Sequence, residues 1–248
     1  MSNKVHNWPE GVGRTVLAST DSTMTEAARV AASCPFPQWI MAREQTAAHG
    51  RRGRAWSMPK GNFAATLLLF PTEPPEIVAL RSFVAALALH DTFVTVSGRP
   101  ESFALKWPND VLLNGGKVAG ILLERGKGHL SIGIGVNLAE APSAAQVEAG
   151  AVAPVSLLSE TGAGVPPEEF LDILAPAYAH WEAQFTTYGF APIRNAWLDR
   201  AAKLGEIIRA RTVTEEHHGT FETVDAFGNL VLKTAKGTLS IPAAEVFF

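Results

Sequence analysis

The chain of 248 residues contains one cysteine and two tyrosines, carries no basic excess, and has no uninterrupted apolar run approaching the length that crosses a bilayer. Each shortage excludes something. A lone Cys34 cannot close an intramolecular disulfide and has no partner at zinc-finger spacing, so it reads as a small buried hydrophobe in a reducing cytoplasm. A formal charge of −3 argues against a nucleic-acid-binding protein, whose phosphate contacts would leave a basic face. The longest apolar stretches, Phe63 to Phe70 and Phe83 to Leu89, fall far short of the roughly 20 residues a spanning helix needs. Residues 1–11 lack the apolar segment of about seven residues that a secretory signal requires.

Metal ligands are also scarce. His6, His90, His129 and His180 are scattered, and His217-His218 beside Glu215 and Glu216 reads as a solvated turn, so no metal site is expected. Two nucleotide motifs fail on inspection. Asn114-Gly115-Gly116-Lys117 is no Walker loop, because Val111 and Val118 occupy the first glycine and the final Ser/Thr positions. Gly133-x-Gly135 lacks the third glycine of a dinucleotide fingerprint.

Hydrophobic periodicity supplies the elements. Val16 to Ala18 reads as a strand entering a helix that runs through Ala32, capped by Ser22 or Thr23, with Glu26 placed to close a capping box on Thr23. Trp39 to Ala42 and Asn62 to Leu69 read as core strands. Glu76 to Val96 reads as one long helix with an apolar stripe. Phe103 to Lys106, Val111 to Leu113, Val118 to Leu123 and Leu130 to Val136 read as strands, with Asn114-Gly115-Gly116 as a hairpin turn. Pro142 to Gly164 reads as a connection with at most a short helical turn, followed by helices at Pro166 to Tyr188 and Ala191 to Ala202. Past a boundary near Leu204-Gly205, short strands at Glu206 to Val213, Thr220 to Val224, Leu230 to Thr234 and Thr238 to Ile241 have the spacing of a small barrel.

Between the two core strands lies Gln45-Thr-Ala-Ala-His-Gly-Arg-Arg-Gly-Arg-Ala-Trp56. Glycines let this backbone approach a ligand closely, and guanidinium forks match carboxylate and phosphate oxygens while keeping their charge when water is excluded. Taken alone, such a loop also fits a solvated basic turn. The second informative segment is Lys106-Trp107-Pro108-Asn109-Asp110, which leads through Lys117-Val118-Ala119-Gly120 to Glu124.

The two segments together resemble the signature of biotin protein ligases, and the resemblance extends to Asp21-Ser22-Thr23, to Gly133-Ile134-Gly135-Val136-Asn137 and to the β-rich tail. It implies an α+β fold: a mixed sheet flanked by helices over residues 1–203, of the class II synthetase-like biotin/lipoate ligase type, and an SH3-like barrel over 204–248. It also implies formation of biotinyl-5′-AMP from biotin and ATP with Mg²⁺, and transfer to a lysine of a biotin carboxyl carrier protein. Longer members carry an N-terminal DNA-reading module, for which no room is expected before the pattern begins near Gly13, so neither DNA nor a membrane is an expected partner. The family includes homodimers, and a homodimer stands beside a monomer as an expectation.

Carried over residue by residue, the resemblance places Arg51 and Arg54 against the biotin carboxylate and the ATP phosphates, with Lys117 on both the carboxylate and the α-phosphate. Ser22, Thr23 and Gln45 match ureido-binding positions, His49 and Gly50 lie beside them in the loop, and Gly120, Leu122 and Gly133 match backbone and wall positions. Trp56, Asn109 and Asn137 match positions near the adenylate, Asn137 toward adenine. Asp110 is expected to orient or deprotonate the acceptor lysine, since an amine with pKa near 10.4 must lose its proton to attack; the competing reading is that it bonds its own turn. For Ser22 and Thr23 the competing reading is helix capping.

The sequence departs from the family pattern at Met24, where an asparagine is usual, and at Ala48-His49, where Gly-Arg is usual. The second departure exchanges a permanently charged guanidinium for an imidazole. Two other readings therefore stand beside the first: a lipoate or octanoate ligase or transferase of the same fold, and a biotin-binding sensor with reduced turnover.

Overall fold

The computed structural model describes residues 7–143 and 152–248. The first part of the segment read as lacking a secretory signal (1–6), together with His6, and the middle of the connection at 142–164 lie outside the described residues.

Seven strands form the main sheet: β1 (Gly13–Leu17), β2 (Gln38–Ala42), β3 (Phe63–Leu69), β4 (Phe103–Lys106), β5 (Asp110–Leu113), β6 (Gly116–Gly126) and β7 (His129–Val136). Their order is β1-β2-β3-β7-β6-β5-β4, with β1 and β2 parallel and the remaining neighbours antiparallel. The sheet is mixed because helix α1 (Thr23–Val30) carries the chain from β1 back to the same end of the sheet, whereas short turns reverse it from β4 to β5, from β5 to β6 and from β6 to β7. The β5–β6 turn places both Asn114 (φ 50) and Gly115 (φ 82) in the left-handed region that a two-residue hairpin favours.

Alternation along the strands gives the sheet two unlike faces. Trp39, Met41, Phe63, Ala65, Leu67, Ile132, Ile134 and Val136 point to one side, where they pack with α3 (Arg81–Ser97), α5 (Pro167–Tyr188) and α6 (Phe190–Leu198). Phe93 stacks on Phe103 at 5.0 Å and Trp39 meets Tyr178 edge-on. The opposite face carries Ala64, Gly120, Leu122, Gly133 and Gly135, and α1 covers only part of it through Ala27 against Ile40 and Leu68. A sheet that is bulky on one face and nearly bare on the other has a packed core behind it and room in front.

The apolar stretch read as one helix is two, α2 (Pro75–Ala79) and α3, meeting at Leu80. The break accompanies a buried charge: Arg81 opens α3 with hydrogen bonds to Glu73 (2.7 Å) and Glu182 (2.9 Å). The capping box also fails. Ser22 is the N-cap, accepting from the Met24 amide at 3.2 Å, while Glu26 pairs with Arg29 at 2.9 Å because Thr23 already lies within the first turn. Cys34 is half-buried rather than fully buried. A five-residue helix α4 (Leu157–Thr161) supplies the turn expected in the connection.

The C-terminal strands β8 (Ile207–Arg211), β9 (Glu216–Val224), β10 (Leu230–Thr234), β11 (Gly237–Ile241) and β12 (Glu245–Phe247) form one antiparallel sheet in the order β11-β10-β9-β8-β12. His217 and His218 belong to β9 and not to a turn, because the strand begins at Glu216 and pairs with β8 through both histidines. Ile208, Phe221, Leu230 and Val246 join the same apolar cluster as the main sheet, with Trp197 of α6 facing Phe221.

Candidate active site

The bare face of the main sheet floors a cavity of about 550 Å³. Every residue named above as a site candidate lines it: Ser22, Thr23, Gln45, His49, Gly50, Arg51, Arg54, Trp56, Asn109, Asp110, Lys117, Gly120, Leu122, Gly133 and Asn137.

One end is neutral and polar. Ser22 and Thr23 are buried at the start of α1; the Thr23 amide donates to Gln45 Oε1 at 2.7 Å, and Thr66 Oγ1 donates to Thr23 Oγ1 at 2.9 Å. Ser22 caps the helix and lines the cavity at once, so capping and ligand contact are compatible in one residue. Met24 fills space that an asparagine would make polar: a Cβ added to Gly133 would lie 2.6 Å from its sulfur.

The floor is made of glycines facing one another. Gly120 pairs with Gly135 and Leu122 with Gly133 across β6 and β7. Trp56, from the end of the arginine loop, lies on this floor, so that a Cβ at Gly135 would sit 2.6 Å from its ring. Lys117 Nζ lies 5.6 Å from the Trp56 ring centroid, at cation–π range.

The other end is charged. Lys117 Nζ is 2.7 Å from Asp110 Oδ1, and Lys106 Nζ is 3.8 Å from Asp110 Oδ2. Asp110 therefore faces two ammonium groups instead of closing an Asx turn. Burial pushes the Lys106 ammonium below its ordinary range, since the charged form loses hydration. Arg51 donates to Asn109 Oδ1 at 3.3 Å, and Asn109 Nδ2 donates to the Ile121 carbonyl at 2.6 Å, which ties the loop to the β4–β5 hairpin and to β6. Arg54 pairs with Glu245, a β12 carboxylate that also holds Arg211 at 2.5 Å and Arg52 at 3.5 Å. Arg52 sits at φ 58 in the turn Arg51–Gly53. His49 lies 3.3 Å from Glu124, so the exchange of arginine for histidine leaves a partner carboxylate in place. Asn137 donates to the Val155 carbonyl at 3.1 Å, while its buried Oδ1 has no partner among the described residues.

Sequence reasoning left out Lys106, Glu245, Val246 and Phe247, all of which line the cavity. Lys106 opens the very motif that carried the resemblance, and its position four residues before Asp110 was the available signal. Glu245 gave less warning: it lies in a three-residue strand, β12, too short for periodicity to reveal.

A cavity with a neutral polar end, an apolar glycine floor and a cationic end suits a ligand that is neutral at one end and anionic at the other. Residues 16–137 match the biotin/lipoate A/B protein ligase family, and residues 203–248 match the biotin protein ligase C-terminal domain. The chain is 58% identical to a biotin--[acetyl-CoA-carboxylase] ligase of Paracoccus denitrificans over 94% of its own length and 99% of the other's. It is 30% identical to the bifunctional ligase/repressor BirA of Bacillus subtilis over 93% of this chain and 71% of that one. The structure of a biotin protein ligase from Aquifex aeolicus in complex with biotin and ATP superposes with a TM-score of 0.83 at 24% identity, covering 94% of this chain and 97% of that one. The chain belongs to the biotin protein ligase family.

Proposed function

We propose that the protein is an ATP-dependent biotin protein ligase that makes biotinyl-5′-AMP and transfers biotin to a lysine of a biotin carboxyl carrier domain. The observation that carries this reading is the convergence of Lys117, Lys106, Arg51 and Arg54 on one end of a cavity whose other end presents Ser22, Thr23 and Gln45.

A carboxylate is a poor electrophile, so it must first be joined to a phosphoryl group. A biotin carboxylate oxygen attacks the α-phosphorus of ATP, the bond to the bridging oxygen breaks, and pyrophosphate leaves. The two reactants are both anions, and negative charge on the phosphoryl oxygens must be met throughout by fixed donors. Lys117 stands where both groups would meet, and Arg51 and Arg54 close over them from the loop. The acceptor lysine, deprotonated beside Asp110, then attacks the acyl carbon and AMP departs. The cavity's neutral end holds the ureido ring, with aimed donors and acceptors in an otherwise apolar wall. The open Oδ1 of Asn137 accepts from an adenine amine.

Mg²⁺ fits this scheme as an ion carried in on the triphosphate. Among the described residues no group of three or more His, Cys, Asp or Glu side chains is placed to hold a metal, so phosphate oxygens and water supply most of its shell. The reaction belongs in the cytoplasm, where ATP is made and a free Cys34 thiol persists.

The test is ATP–pyrophosphate exchange measured with biotin, lipoate and octanoate in turn. Exchange with biotin alone is expected. Exchange with lipoate or octanoate in place of biotin would reassign the substrate, and biotin binding without exchange would make the protein a sensor.

A further inference from the structure

The segment Lys106 to Asp110 carries two of the charges at the cationic end, and it is held from outside the main sheet. Trp107, 3% exposed, donates its indole Nε1–H to the carbonyl of Gly228 at 3.0 Å. Gly228 lies in the β9–β10 turn of the C-terminal sheet, more than a hundred residues away in sequence. On the other side Ser82 Oγ donates to the Pro108 carbonyl at 3.2 Å, and the Ile121 amide donates to the Asn109 carbonyl at 2.9 Å. Three successive residues are thus pinned by three different elements, and the next residue is Asp110.

The turn is built to present that carbonyl. Asp225 Oδ1 accepts from the amides of Phe227 (2.8 Å) and Asn229 (3.0 Å), and Oδ2 accepts from Asn229 Nδ2 (3.0 Å) and Ser240 Oγ (2.8 Å). The Gly228 amide donates to the Asp225 carbonyl at 3.1 Å. Gly228 has φ 81, and a Cβ there would lie 2.8 Å from Leu80 Cδ2 and 3.1 Å from Phe83. A glycine is required both by the dihedral and by the close approach to α3. The contact joins Leu80, Phe83, Trp107 and Gly228 where α2 and α3 part, so a displaced carbonyl shifts the hairpin and not merely a surface loop.

We propose that the Asp225–Asn229 turn is a positioning element of the active site, in which Gly228 acts through Trp107 to place Asp110 against Lys117. This rests on the ligase reading above. Placement errors of about 1 Å cost roughly a hundredfold in rate when reacting groups must meet in line, so the turn should govern turnover more than ligand affinity.

The experiment compares the full chain with Trp107→Phe, Gly228→Ala, Asp225→Asn and the Trp107→Phe/Gly228→Ala double variant, in biotin-dependent exchange and in thermal unfolding. Trp107→Phe and Gly228→Ala should each lower kcat about tenfold or more with KM for biotin changed less than about twofold, and the double variant should be no slower than its slower parent, as coupled sites require. Multiplied losses in the double variant, unchanged kcat in the singles, or losses that match the unfolded fraction would overturn the proposal. If Gly228→Ala does not fold, Trp107→Phe and Asp225→Asn decide it: lowered kcat at unchanged KM supports positioning, and unchanged kcat overturns it. An unaltered chain inactive with biotin would instead strike the ligase reading. In that case the turn is judged by whether Gly228→Ala perturbs the same backbone amide signals around Asp110 and Lys117 as Trp107→Phe; perturbation supports the positioning and its absence overturns it.

Discussion

Trp56 lies on Gly135 with no room for a methyl group between them: an added Cβ would be 2.6 Å from the ring. The glycine on β7 thereby decides how low the loop can settle on the sheet. Gly135→Ala should lift the indole, raise KM for ATP and shift tryptophan fluorescence, while the strand keeps its fold because alanine is tolerated in extended backbone. KM and emission both unchanged would show that Trp56 does not rest there in solution.

Lys117→Gln removes the cation proposed to meet both the carboxylate and the phosphate. A loss of roughly 10² to 10³ in the exchange rate is expected, the usual cost of one preorganised donor. Rapid-quench measurement of adenylate formation checks it, and a change under threefold would demote Lys117 to a hairpin residue.

Asp110 stands between Lys117 and Lys106, so its charge serves two ends. Asp110→Asn should slow transfer from preformed adenylate to a carrier lysine by roughly 10² if it acts as the base. Transfer at the unaltered rate would leave it only the task of holding the two ammonium groups.

Glu245 ties the arginine loop to β12 through Arg54 and Arg52. These arginines are about half exposed, so the ties contribute no more than about 1 kcal/mol, equivalent to roughly fivefold in local opening. Glu245→Gln should speed proteolytic cutting within 47–54 by about that factor in the absence of ligands. Biotin plus ATP should slow cleavage in both proteins.

Asp21 braces the entry to α1 and answers to pH. Its carboxyl is lowered to about 2 from 3.8 by the Arg29 hydrogen bond, helped by the Ser22 amide. The folded carboxyl is the stronger acid, so its contribution is complete above the unfolded value and disappears as pH falls through about 2. The stability gap between the protein and Asp21→Asn should close across that window. A gap independent of pH would assign the brace to shape and not to charge.

Strand positions were legible because a short apolar run bounded by turn residues is a local signal, as at Leu230–Thr234 and Phe103–Lys106. Gly133 was legible through the family resemblance, whereas the place of Gly135 beneath Trp56 came only from the fold. The helix break at Leu80 was not legible, and the buried Arg81 beside it is satisfied by Glu73 and by Glu182, the latter distant in sequence. The same limit hid β12 and with it Glu245.

By itself, then, the order of residues determined most of the elements and the chemical types gathered for the reaction, because periodicity and charge are properties of neighbours. Only the tertiary structure decided which groups meet: that Asp110 faces Lys117, that Glu245 reaches Arg54, and that the Gly228 carbonyl accepts from Trp107. The last two of these join segments more than a hundred residues apart, where the C-terminal sheet meets the main domain, and no local pattern encodes them.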